Sequence, residues 1–159
     1  LREVLEGLAA RLAAERIQAD ELHRLHRHLD GAERHLASPD PCGYPAGEGD
    51  FHGTIARAAR SPQLDAALAP IQARLRLLRR RSGAAAERAR QALVEHRAIL
   101  SAIERRDPDE AEVLMRAHIR MARANLLGRT GAPDPDGSRP DPAMPRPDPD
   151  GPDPIGAAR

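Results

Sequence analysis

Glu48, His52, His96 and His118 are the residues whose types and spacing could act together chemically. Glu48 and His52 stand four apart in what reads as one helix, and residues four apart share a helix face, one turn from each other. His96 lies midway along a second predicted helix and His118 midway along a third. Between these two come a helix end, a break at Arg106-Asp107-Pro108 and a new helix, with Asp107 placed 11 residues from each histidine. At about 1.5 Å of rise per residue, an antiparallel hairpin folded at that break carries both imidazoles to the same height. One carboxylate and three imidazoles can then converge inside a helical bundle, which is how bundles build metal sites. Such a donor set suits Zn, Ni, Mn or Fe better than Ca or Mg.

A lone buried histidine is more often a satisfied core residue than a ligand. Here His96 is flanked at helical spacing by Ala92, Leu93, Ile99 and Leu100, and His118 by Leu114, Met115, Met121 and Ala122. Both imidazoles therefore belong to apolar stripes and point inward. Their matched height, together with a carboxylate-to-histidine pair on a third helix, favours the metal reading. The other histidines, His23, His26, His28 and His35, share the second predicted helix and read as a solvated face.

The elements that must position these groups are legible from periodicity and punctuation. Residues 2–16 read as a helix through Val4, Leu5, Leu8, Leu12 and several alanines at 3–4 spacing, with Ala9–Ala13 as ordinary core or interface. Residues 19–36 read as a second, with Asp20 as its cap and Leu22, Leu25 and Leu29 as its stripe. Residues 38–49 carry three prolines and read as a loop. A third helix is expected from about Gly47 to Arg60. Ser61-Pro62 is a cap followed by proline at the first helical position, so a fourth helix should span 62–80, kinked or split at Pro70. A fifth is expected over 84–105 and a sixth over 108–127, started by Asp107-Pro108 and closed by Gly128. Residues 129–159 hold nine prolines and six aspartates with almost nothing apolar, and read as a disordered tail. The expectation is an all-α antiparallel bundle of six to seven helices over residues 1–128.

Composition agrees. The 159 residues carry a net charge of +1 and no lysine, so there is no global field for nucleic acid or membrane. With one Phe, one Tyr and no Trp, the core must come from Leu, Ile, Ala, Val and Met, which favours helix. Cys42 is alone, so no intrachain disulfide is possible. There is no signal peptide and no apolar run of about 18 residues, pointing to a soluble cytoplasmic protein with no membrane partner. The arginine run Arg74, Arg76, Arg79, Arg80 and Arg81 suits a helix C-terminus, and no aromatics interleave with it. No phosphate loop, nucleophile elbow or Cys-x-x-Cys is present. The chain opens on Leu1 in helical pattern without an initiator Met, as a fragment of something longer would.

Taken in order, several segments resemble the FCD domain, the C-terminal effector domain of FadR-subfamily GntR transcriptional regulators. Leu1-Arg2-Glu3-Val4-Leu5-Glu6 with Arg11-Leu12-Ala13-Ala14 resembles the opening helix of that family. Asp50-Phe51-His52 with Ile55-Ala56 resembles its Phe-His helix, and Ser61-Pro62-Gln63-Leu64 its Asn-Pro-x-Leu helix start. Glu95-His96-Arg97-Ala98-Ile99-Leu100 and Met115-Arg116 with His118-Ile119 resemble its closing helical pair, whose 22-residue histidine interval is the most specific piece. The resemblance implies an FCD-like helical bundle that dimerises and holds a divalent metal through Glu48, His52, His96 and His118. The family usually has Asp where this chain has Glu48, with Asp50 as the fallback, and Asn where it has Ser61. Arg2 resembles an arginine that points at the ligand cavity in relatives, so Arg2 and Ser61 are the implied effector contacts.

The expected function is effector sensing and dimerisation for a metabolite-responsive regulator. A small carboxylate would meet the metal and Arg2, and DNA would be contacted only through a winged helix–turn–helix absent from this chain. The alternatives are a metal-dependent enzyme, for which Glu95 and Asp50 are the candidate bases and both are expected to face outward, and a structural dimerisation module with a decayed site.

Overall fold

The computed structural model describes residues 1–38, 51–82 and 86–131, with side chains given except at 76–82, 86 and 126–131. Among these residues six helices and no strands are found: α1 Arg2–Arg16, α2 Ala19–Leu36, α3 Phe51–Ala58, α4 Pro62–Ser82, α5 Ala86–Glu104 and α6 Pro108–Gly131. The fold is all-α, as expected. None of the described helices is long and apolar enough to cross a membrane.

α1 is the central helix and touches α3, α4, α5 and α6. Its buried face explains how one helix accepts so many neighbours. That face is built from Glu6, Gly7, Ala9, Ala10, Ala13 and Ala14, small residues for the most part, which let other helices approach closely. The alanines that share the helical spacing of α1 are thus core, as expected, while its larger residues divide. Leu5 and Leu12 pack against the core, whereas Val4 and Leu8, also expected in the stripe, are 52% and 40% exposed, because the closest helix contacts are made on the alanine face. Val113 and Met121, expected on the inner stripe of α6, are likewise exposed.

Gly7 marks the tightest approach. A Cβ built there would lie 2.7 Å from Cγ of Arg116 on α6, near the root of that side chain, where little relief is available. Replacing a helix-interior glycine by alanine ordinarily gains about 1 kcal/mol, whereas overpacking costs about 1–3 kcal/mol. Gly7→Ala is therefore expected to destabilise by about 1 kcal/mol in denaturant unfolding; a stabilised variant would show that the α1–α6 contact is loose.

Ion pairs reveal the helix directions. Arg120 meets Glu3, and Arg11 meets Asp109 and Glu112, so α1 and α6 are antiparallel. His26 meets Glu104 while Arg97 meets Asp30 and Glu33, so α2 and α5 are antiparallel too. α3 runs in the sense of α1, since Glu6 meets His52 and Arg16 donates to the carbonyl of Ala59.

The turns follow the local chemistry. Asp107 Oδ1 accepts from the Glu110 amide at 3.0 Å, and Ser61 Oγ from that of Leu64 at 3.4 Å, so both expected caps form. At α2 the cap position belongs to Gln18, whose amide donates to Glu21 at 3.0 Å. Asp20, expected as the cap, lies in the first turn and pairs with Arg24. It cannot cap because its own backbone is already helical. α4 is one helix through Pro70 rather than two, and α6 continues past Gly128 to Gly131; a glycine weakens a helix without breaking it.

The α5–α6 turn is closed by Arg106 at φ 58°, a left-handed position that usually takes glycine. The amide of Asp107 donates to the Ala102 carbonyl and that of Arg106 to Ile103. The Arg106 guanidinium reaches the Ala14 and Ile17 carbonyls at the end of α1, at 3.0 and 2.9 Å. These long-range bonds offset the backbone strain and clamp the hairpin to the central helix.

Of the expected site residues, Glu48 and Asp50 lie outside the described residues, as do Cys42, most of the 38–49 loop, the 132–159 part of the expected tail, and the side chains of the arginine run beyond Arg74.

Candidate metal centre

Three helices deliver one histidine each to the same buried point: His52 from the start of α3, His96 from the middle of α5 and His118 from the middle of α6. They are 5%, 4% and 3% exposed. One ring nitrogen from each can be chosen so that all lie within 4.8 Å of one another. The hairpin expected from the 11-residue intervals is what levels His96 with His118: their Nε2 atoms are 3.3 Å apart.

Carboxylates hold the outer nitrogens. Nδ1 of His52 donates to Oε2 of Glu6, a residue of α1 that is itself 2% exposed. Nδ1 of His118 donates to Oε2 of Glu95 at 2.6 Å. Each carboxylate is anchored by an arginine: Arg2 Nε donates to Glu6 at 2.6 Å, and Arg88 grips Glu95 with two bonds of 3.1 and 3.0 Å. Gln91 adds a bond of 3.3 Å to Glu95. Phe51 stacks on His96 with centroids 4.2 Å apart and planes inclined by 19°, which sets the plane of the third ring.

Glu95 is thus not outward, as its place beside the apolar stripe suggested. Its backbone neighbours His96, but its side chain turns across to His118 on α6, with Arg88 on its own helix holding it in place. Sequence reasoning misses Glu6 as a participant. The signal is present: a carboxylate four residues from Arg2 on the face shared with Ala9, Ala10 and Ala13, where a charge needs a partner. His28 and His35 also depart from the solvated reading, being half-buried on the flanks of the α2 stripe. The ring of His28 stacks on Phe51 at 6.4 Å, and Nε2 of His35 is buried without a hydrogen-bond partner.

The electrostatics keep the His118 ring free of charge near neutral pH. Burial pushes the His118 imidazolium down to about 4, with the charge of His52 adding to it against the pull of Glu95. Burial alone would raise Glu6, but the charges and hydrogen bonds of His52 and Arg2 outweigh it and hold the carboxyl at about 2. Burial likewise opposes ionisation of Glu95, and the bonds from His118 and Arg88 bring it to about 2. With its Nδ1–H donating to the ionised Glu95, neutral His118 presents a lone pair on Nε2, the atom that faces Nε2 of His96.

A pH dependence follows for the metal-free protein. Between its usual 6.5 and about 4, His118 is protonated only in the unfolded chain. The unfolded state then binds more protons, so stability falls as pH drops through that window, by about 3 kcal/mol for a shift of that size. Glu6 and Glu95 extend the loss from their usual 4.5 down to about 2. Denaturant unfolding in chelator at pH 7.5, 6 and 4.5 reads this directly, and constant stability over the range would contradict it.

The centre fits a metal ion on its own observations. Nε2 of His52 is buried and has no hydrogen-bond partner, a costly condition that an ion would relieve. Two imidazole nitrogens on one tetrahedral ion, at about 2.0–2.1 Å from it, stand roughly 3.3 Å apart, which is the His96–His118 separation. Of the effector contacts that the resemblance implies, Arg2 is tied to Glu6 with its side chain 20% exposed, and Ser61 caps α4.

Fold and centre together define an all-α domain with an enclosed histidine triad. A family model described as the FCD domain matches residues 1–121, and the chain belongs to that family, the effector-binding domain of GntR-type regulators. A comparison with curated proteins found no match.

Proposed function

We propose that this domain senses a small organic acid at a divalent-metal centre and transmits its occupancy through a homodimer to DNA-binding domains of a FadR-type regulator in the cytoplasm. The observation that carries the reading is the convergence of three buried imidazoles on one point, with the Nε2 of His52 left without a partner. His52, His96 and His118 supply nitrogen ligands and Glu48 a fourth, oxygen ligand, with Asp50 as the fallback. Zn, Ni or Mn suits this set, and supplies a Lewis-acidic position that a carboxylate can occupy. Arg2 and Ser61 are the proposed effector contacts; the Arg2 guanidinium lies one hydrogen bond from the Glu6–His52 pair.

An effector that prefers one dimer geometry shifts the population toward it, and the attached winged helix–turn–helix domains follow. The enzymatic alternative is disfavoured by Glu95. Its oxygens already accept from His118, Arg88 and Gln91, so it is not a base free to take a proton from substrate.

Thermal-shift measurements with small carboxylates, in chelator and with added Zn, test the proposal. Acids that raise the melting temperature only with metal present support it. A protein that retains no metal after supplementation, or turnover of a bound acid, overturns it.

A further inference from the structure

Each of two ligand histidines stands at the end of a chain of charged groups. On one side the order is Arg2, Glu6, His52; on the other it is Arg88, Glu95, His118. The chains come from different helices, yet both place a carboxylate on Nδ1 and leave Nε2 facing the centre. In a neutral imidazole one nitrogen carries the proton and the other the lone pair, and the partner of the first decides the tautomer. An ionised carboxylate can only accept, so each glutamate demands a proton on Nδ1.

We infer that Glu6 and Glu95 are positioning residues that lock His52 and His118 as Nδ1–H tautomers, so that their Nε2 lone pairs are presented to the centre before any ion arrives. Arg2 and Arg88 act one step further out, holding the carboxylates in place and charged. Phe51 orients the remaining ring by stacking. The inference deepens the metal-centre reading, and Glu6 enters it from α1, the helix that packs against most of the bundle. The general chemistry is that a carboxylate on the far nitrogen fixes ring orientation and raises ligand basicity.

The test uses the whole chain. Long-range 1H–15N spectra of the metal-free protein near pH 7.5 distinguish the two tautomers ring by ring. Wild type should show His52 and His118 with the proton on Nδ1. Glu6→Gln should release or reverse the tautomer of His52 alone, and Glu95→Gln that of His118 alone. Zn titration should weaken by about tenfold to a hundredfold in each variant. Recovery of the wild-type ring signal in Glu95→Asp, but not in Glu95→Gln, separates carboxylate chemistry from mere packing. Should Glu6→Gln fail to fold, the less buried Glu95 still decides the matter.

Wild-type rings protonated on Nε2, or tautomers indifferent to both glutamine substitutions, overturn the inference. Expected ring signals in a wild-type protein that takes up no Zn would uphold the tautomer assignment and defeat the metal-sensor proposal instead, so the two failures are distinguishable.

Discussion

His118→Ala and His96→Ala are each expected to abolish the proposed stoichiometric binding of a divalent transition metal, and with it the metal-dependent part of the melting temperature. Each substitution removes one of three convergent nitrogens, and the remaining pair with one carboxylate is a poor match for a four-coordinate ion. Metal present at about a hundred times its dissociation constant stabilises the folded state by about 2.7 kcal/mol. For a domain of this size that corresponds to a melting shift of roughly 10 °C, which wild type should show and the variants should lack. Both histidines are also buried, so each variant should lose some stability in chelator as well. The discriminating quantity is therefore the difference between metal and chelator for each protein. A wild-type difference retained in His118→Ala would mean that the imidazole is core packing only.

Phe51→Ala is the substitution expected to harm the fold most. Phe51 is the only phenylalanine of the chain, 2% exposed, and lies between the rings of His28 and His96. Truncating a buried phenylalanine to alanine costs about 3–5 kcal/mol, a large part of the roughly 5–15 kcal/mol that typically holds a domain together. The same change removes the surface on which His96 stacks, so metal affinity should fall even in conditions where the variant stays folded. Phe51→Leu keeps most of the volume and loses the flat ring. It is expected to cost less stability than the alanine while still weakening the metal. Denaturant unfolding together with Zn titration reads both effects. A loss below about 1 kcal/mol in Phe51→Ala would remove Phe51 from the core, contrary to its burial.

The order and ends of the helices are legible in the amino-acid sequence because their signals are local. Arg2–Arg16 and Ala19–Leu36 have the bounds that periodicity suggests. The starts at Pro62 and Pro108 follow from cap-plus-proline pairs, in which the missing amide of proline costs a first turn nothing. Elsewhere a competing local signal or a distant partner decides. Asp20 has the right side chain for a cap, yet Glu21 and Gln18 close the end of α2 instead. Gly128 has the composition of a terminator, but a glycine alone does not force a helix to stop.

The orientation of α1 shows the limit most plainly. Its leucines, valine and alanines all repeat at helical spacing, so the pattern places them in one broad stripe without separating Leu5 and Leu12, which pack on the core, from Val4 and Leu8, which are exposed. What selects the alanine face is the number of helices that must fit around α1, a property of the whole bundle. The same is true of Glu6 and Glu95. Each is a charged residue on a helix whose ordinary place is the surface, and each is turned inward by partners 46 and 23 positions away in the chain.

By itself the sequence determined an all-α chain, the matched heights of His96 and His118, and their inward direction, because helix rise, helix period and a proline-marked turn are short-range properties of the backbone. Tertiary structure alone decided which large residues of α1 are exposed, and that two arginine-held glutamates, Glu6 and Glu95, take the Nδ1 atoms of His52 and His118. Those outcomes depend on packing space and on charges brought together from distant segments, which no local pattern specifies.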